Sequence, residues 1–95
     1  MTMACQLSFT PSAWADCVWW QTQDRKTLKR INALVESALR TPFEGLGKPE
    51  PLSGDLSGFW SRRIDEKNRL VYAIDGKGEA RTLTVVTCRF HYGDP

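Results

Sequence analysis

A chain of 95 residues can close one small core, burying roughly 60 to 65% of the surface its unfolded form exposes, so it reads as a single domain over residues 1–95 without a second module. With 41% apolar and 25% charged residues it belongs among ordinary globular sequences and carries no disordered tract, and a net charge of +2 is too small to announce a nucleic-acid binder. Three cysteines in apolar runs, Cys5, Cys17 and Cys88, with one histidine, supply neither a disulfide framework nor a standard zinc ligand set, so buried free thiols, no metal and no cofactor are expected. The amino terminus lacks the features of a leader, and no apolar run approaches about 18 residues, which points to the cytoplasm and away from membranes.

Cys5, Leu7 and Phe9 alternate with Gln6 and Ser8, the period-2 pattern of a half-buried strand. Thr10 followed by Pro11 reads as an N-cap and the first position of a helix, where the missing proline N–H costs nothing. Trp14, Cys17, Val18 and Gln21 then form a stripe predicted to face the sheet, widened by Trp19 and Trp20; tryptophans at helical spacing usually pack a core or an interface rather than stack on bases. Asp24 caps a second helix ending at Arg40, with Leu28, Ile31, Leu34, Val35, Ala38 and Leu39 on one side, and Pro42 stops it. The polar residues 21–23 are predicted to link the two helices into an antiparallel hairpin on one face of a sheet.

Three strands are predicted beyond. Residues 59–64 put Phe59, Ser61 and Arg63 on one face and Trp60, Arg62 and Ile64 on the other. Residues 69–74 form the next strand, the link 65–68 folding it back on its predecessor. After a glycine-containing turn at 75–79, residues 82–92 form the most β-branched run, suited to the centre of the sheet. The order predicts an α+β domain with both helices on one face of an antiparallel sheet and the other face open.

The stretch 41–72 is predicted to be the working end. Glu50 stands between Pro49 and Pro51, which stiffen the backbone on either side of it. Arg63 and Arg69 lie on strands that fold back on each other, so a carboxylate and two guanidinium groups can converge there, and His91 is the one imidazole. Arg62, Arg63, Lys67 and Arg69 could form a basic patch, although a solvated charged hairpin explains the same charges. The glycines at 45, 47, 54 and 58 show no phosphate-loop spacing and read as loop geometry.

The runs RTPFEGLGKPEPL at 40–52, LSGFWSRRI at 56–64, NRLVYAI at 68–74 and CRFHY at 88–92 resemble the YoeB branch of the RelE toxin superfamily, and the similarity extends over about residues 14–92. That resemblance implies a RelE-like fold, related to microbial ribonucleases. It also implies the toxin of a bacterial type II toxin–antitoxin module, a metal-independent endoribonuclease that cuts messenger RNA on the ribosome and is restrained by a YefM-like antitoxin. Operator DNA would be met only through the antitoxin complex, and a homodimer is left open. Carried over by motif, Glu50, Arg69 and His91 are the catalytic residues, and Lys48, Arg63 and Tyr92 hold RNA. Metal-free RNA cleavage needs a base for the 2′-hydroxyl, an acid for the leaving 5′-oxygen and positive donors for the phosphorane; Glu50, His91 and Arg69 suit these roles in turn.

Two features depart from the family pattern. Ser53 stands where a basic residue is common, and Gly93, Asp94 and Pro95 follow the His-Tyr pair at which relatives often end. A non-catalytic module of the same fold, an antitoxin-dependent corepressor or a gyrase-poisoning relative, is the rival reading. It would not need Glu50, Arg69 and His91 together.

Overall fold

The computed structural model describes residues 5–77 and 80–89, the side chain of Cys5 apart. The chain forms strand β1 (Cys5–Phe9), helices α1 (Pro11–Gln23) and α2 (Arg25–Arg40), and strands β2 (Glu50–Pro51), β3 (Phe59–Arg63), β4 (Arg69–Asp75) and β5 (Arg81–Thr87). Thr10 starts α1 as its sequence implies: the side-chain oxygen accepts the Ala13 N–H at 3.0 Å. The same residue donates its hydroxyl to the Val86 carbonyl at 3.1 Å and its N–H to the Val85 carbonyl at 3.0 Å, so the helix start is pinned to β5.

Residues 21–23 are not the interhelical link that the sequence suggests. They complete α1, and the connection shrinks to Asp24, which closes one helix and opens the next. Its N–H donates to the Trp20 carbonyl at 3.0 Å while its carboxylate accepts the Thr27 N–H at 3.2 Å and hydroxyl at 2.8 Å. These Thr27 hydrogen bonds hold the Asp24 carboxyl below the ordinary range.

The five-stranded sheet has the order β1-β5-β4-β3-β2. Every pairing is antiparallel except β1 with β5, which is parallel, so the sheet is mixed where an antiparallel one was expected. The two helices carry the chain from β1 across to β2 at the far edge of the sheet, and three antiparallel steps back bring β5 in parallel beside β1, a pairing that no hairpin turn can make. The centre is β4, with β5 interior beside it. The final strand stops at Thr87, short of the expected end at residue 92, because the next backbone groups pair with α1. The Cys88 N–H donates to Asp16 Oδ2 at 3.2 Å, and the Cys88 carbonyl accepts the Trp20 indole N–H at 2.8 Å. The portion of that expected strand beyond residue 89 lies outside the described residues. Between the pairs Val71–Thr87 and Tyr72–Val85 the register shifts, leaving Val86 as the extra residue of a β-bulge that redirects the chain at the end of β5.

One core joins the helices to the sheet. Ile31, Leu34, Val35 and Ala38 of α2 meet Leu70, Tyr72, Leu83 and Val85 of the strands, with Ala13, Trp20 and Cys88 closing one end. The stripe anticipated on α1 is displaced. Trp14 is 56% and Val18 43% exposed, whereas Ala13 and Trp20 are buried. The inward face carries polar Asp16, whose carboxylate also accepts the Thr87 hydroxyl at 3.0 Å, so a tally of apolar spacing rotates the helix the wrong way. Of the thiols, Cys88 is buried and is pushed up to about 12 by that burial, with the Asp16 carboxylate and Cys17 adding to the effect. Cys17 is only half-buried, not the buried thiol its apolar run implied. Among the described residues no helix is long and apolar enough to cross a membrane.

Candidate active site

The prolines around Glu50 do more than stiffen a loop. Glu50 and Pro51 form a short edge strand, Glu50 opposite Ser61 and Pro51 opposite Trp60, extended by the Leu52 N–H donating to the Phe59 carbonyl at 2.9 Å. Proline is tolerated there because an edge strand need not donate on both sides. On β3 and β4, Arg63 lies directly opposite Arg69 and Ser61 opposite Val71. Since alternate residues share a face, Glu50, Ser61, Arg63 and Arg69 come to one side of the sheet. They enclose a pocket of about 90 Å³ lined by Lys48, Glu50, Ser61, Arg63 and Arg69. A second depression of about 170 Å³ shares Glu50 and is lined also by Pro51, Leu52, Ser53 and Leu56.

Arg69 is held at the turn between its strands. Its Nη1 donates to the carbonyls of Asp65 at 2.7 Å and Asn68 at 3.2 Å. A two-pronged grip on a phosphate must therefore use the Nε and Nη2 edge. Asp65 in turn accepts the N–H groups of Lys67 and Asn68 at 2.8 Å each and the Asn68 amide at 3.1 Å. Partial burial works against ionisation of Asp65, but these hydrogen bonds and the Arg69 charge outweigh it and hold the carboxyl below its usual value.

Four of the six anticipated site residues, Lys48, Glu50, Arg63 and Arg69, thus meet at one pocket; His91 and Tyr92 lie outside the described residues. Ser61, which sequence reasoning did not single out, lines the same pocket beneath Glu50 and is itself buried.

The anticipated basic patch loses a member. Arg62 is fully buried and faces the helices. Its guanidinium donates to the Tyr72 hydroxyl (3.0 Å), the Ser37 hydroxyl (2.8 Å) and the carbonyls of Leu46 (3.0 Å), Thr41 (2.7 Å) and Glu44 (2.9 Å). These bonds match the five N–H donors of the group, which is how a buried cation is accommodated. The alternation that groups Arg62 with Trp60 and Ile64 is the sequence signal that could have found it. The Tyr72 hydroxyl passes the contact on, donating to the Pro42 carbonyl at 2.6 Å. Burial pushes the Tyr72 hydroxyl up, partly offset by the neighbouring guanidinium.

Comparison with known proteins decides the family. A profile of the YoeB-like toxin of bacterial type II toxin-antitoxin systems matches residues 9–92. The chain belongs to the YoeB-like toxins. It is 51% identical to a toxin YoeB from Synechocystis sp. over 87 residues, 92% of this chain and 96% of that protein. Among solved structures, a YoeB/ParE toxin from Agrobacterium tumefaciens superposes with a TM-score of 0.87 at 49% identity, covering 92% of this chain and 99% of its own. The YoeB-like toxin in a heterotetrameric YoeB-YefM toxin-antitoxin complex from Staphylococcus aureus gives 0.80 at 38% identity, covering 93% and 98%.

Proposed function

We propose that this YoeB-like toxin is a ribosome-dependent endoribonuclease that cleaves messenger RNA without a metal and so inhibits translation. The observation that carries the reading is the pocket in which one carboxylate, Glu50, faces the cations Lys48, Arg63 and Arg69. A phosphodiester carries negative charge that grows in the transition state, and three cations around a small cleft stabilise that growth. Glu50 takes the proton of the 2′-hydroxyl, which then attacks the adjacent phosphorus. Arg69 grips the phosphorane oxygens, while Arg63 and Lys48 hold the flanking backbone. The leaving 5′-oxygen requires a proton, and His91 is the residue assigned to give it, with Tyr92 beside the RNA. A YefM-like antitoxin is the partner that restrains the activity, as the staphylococcal complex suggests by analogy.

The test is single-turnover cleavage of a messenger on programmed ribosomes. Glu50→Gln keeps the size of the side chain and removes the base, so the rate should fall about 10² to 10⁴ fold, and chelation should leave the parent rate unchanged. A Glu50→Gln protein that cuts at the parent rate, or a parent inactivated by chelator while ribosomes stay intact, would count against this chemistry.

A further inference from the structure

We infer that Arg62, which does not line the pocket, is a positioning residue for it: its buried guanidinium clamps the loop that delivers Lys48 and Glu50. The inference rests on the nuclease reading above. Loop 41–49 leaves α2 and must turn back to enter the sheet at β2. It has no regular backbone pairing of its own, so its carbonyls need other partners. Arg62 supplies one for Leu46 and adds to those made within the loop at Thr41, whose carbonyl also accepts the Glu44 N–H at 3.3 Å, and at Glu44, whose carbonyl also accepts the Thr41 hydroxyl at 2.9 Å. Tyr72, itself bonded to Arg62, supplies one for Pro42. Ser37 of α2 closes the cluster, accepting from Arg62 while also accepting the Leu46 N–H at 3.2 Å. Two further bonds tie the loop's exit: Arg63 donates its N–H to the Gly47 carbonyl at 2.8 Å, and Glu50 then pairs with Ser61.

What this fixation holds is a conformation the loop would not keep alone. Among the described residues Lys48 is the one non-glycine with positive φ, at 53°. Left-handed backbone at an ordinary residue persists only where its surroundings over-determine it, and here it lies two residues before Glu50 and lines the same pocket. A guanidinium suits the task because its planar fork reaches carbonyls on two edges at once. An ammonium keeps the charge but cannot span them.

The proposal is tested with Tyr72→Phe and Arg62→Lys in the full chain, each first checked for a cooperative thermal transition and a parent-like far-ultraviolet circular dichroism spectrum. Neither alters a pocket side chain, and Tyr72→Phe leaves the Ser37 acceptor of the Leu46 amide in place. Two quantities are read: the single-turnover rate against toxin concentration on programmed ribosomes, and hydrogen exchange at the Leu46 and Arg63 amides. The maximal rate should fall about 10- to 100-fold while the half-saturating concentration stays within about twofold, because misplacing a reacting group by an ångström costs rate rather than docking. Exchange at both amides should quicken, and Arg62→Lys should not restore the rate. If exchange quickens with the maximal rate intact, or only the half-saturating concentration rises, the clamp does not position the reacting groups. Unchanged exchange in both variants would show that the loop is held without it. Should Tyr72→Phe lose the rate and Arg62→Lys alone prove unfolded, the tyrosine arm supports the proposal by itself. A parent chain that leaves the messenger uncut overturns the nuclease reading, and the parent control separates that result from all others.

Discussion

Gly47 illustrates how a single residue is constrained by its neighbours. Its φ is +86°, and a Cβ there would come within 2.5 Å of Leu34 Cδ2 and 3.1 Å of Arg62 Cβ. Leu34 is fully buried on α2, so the clash cannot be relieved into solvent. Gly47→Ala should therefore destabilise the fold by about 1 to 3 kcal/mol, combining an unfavourable backbone with overpacking. The check is the midpoint of denaturant unfolding, which should drop without a change of slope. A variant as stable as the parent would mean the loop can lift off α2. Arg62 is the complementary case, a residue whose type suggested solvent and whose place on the strand set it inside.

At the scale of an element, the β3–β4 hairpin is held by the Asp65 turn, which also anchors Arg69. The Asp65 carboxyl is depressed from an ordinary value of 3.8. A depressed carboxyl contributes stability that is fully present above its unfolded value and is lost as pH falls through the folded one. Asp65→Ala should cost about 0.5 to 1.5 kcal/mol at neutral pH, with a parent–variant difference that shrinks steadily below about pH 4. Urea unfolding of both proteins at neutral and acidic pH measures it. A difference that stays constant with pH would show that the ionised carboxylate is not what stabilises the turn. The caps at Thr10 and Asp24 were legible in the sequence because capping depends on local chemistry; the rotation of α1 was not, because Asp16 is inward only on account of Thr87 and Cys88, more than seventy positions away.

For the whole molecule, the family and the pocket together lead to a physiological expectation. Expression of the chain alone should arrest growth by stopping protein synthesis, and a co-expressed YefM-like antitoxin should relieve the arrest. Pulse labelling of new protein in cells carrying the parent or Glu50→Gln chain gives the measurement. A soluble, folded parent chain that leaves synthesis untouched in the absence of antitoxin would set the toxin reading aside, and equal arrest by Glu50→Gln would separate toxicity from the proposed base.

The sequence by itself determined the two helices and four of the five strands with most of their ends, since period-2 alternation, capping side chains and prolines act over a few residues, but it read the two-residue strand β2 as a stiff loop. It also placed Arg63 and Arg69 close together, because a short polar turn fixes the pairing of β3 with β4; Glu50 joins them only through the β2 edge strand, which the tertiary structure supplies. Tertiary structure alone decided the rest. The parallel pairing of β1 with β5 depends on a helical crossover closing over a whole sheet, and Ser61 joins the pocket only through the short edge strand that Glu50 forms against it. Burial of Arg62 was decided there too: a cation can enter a core only when oxygens from α2, the following loop and β4 arrive together, and no local pattern records their meeting.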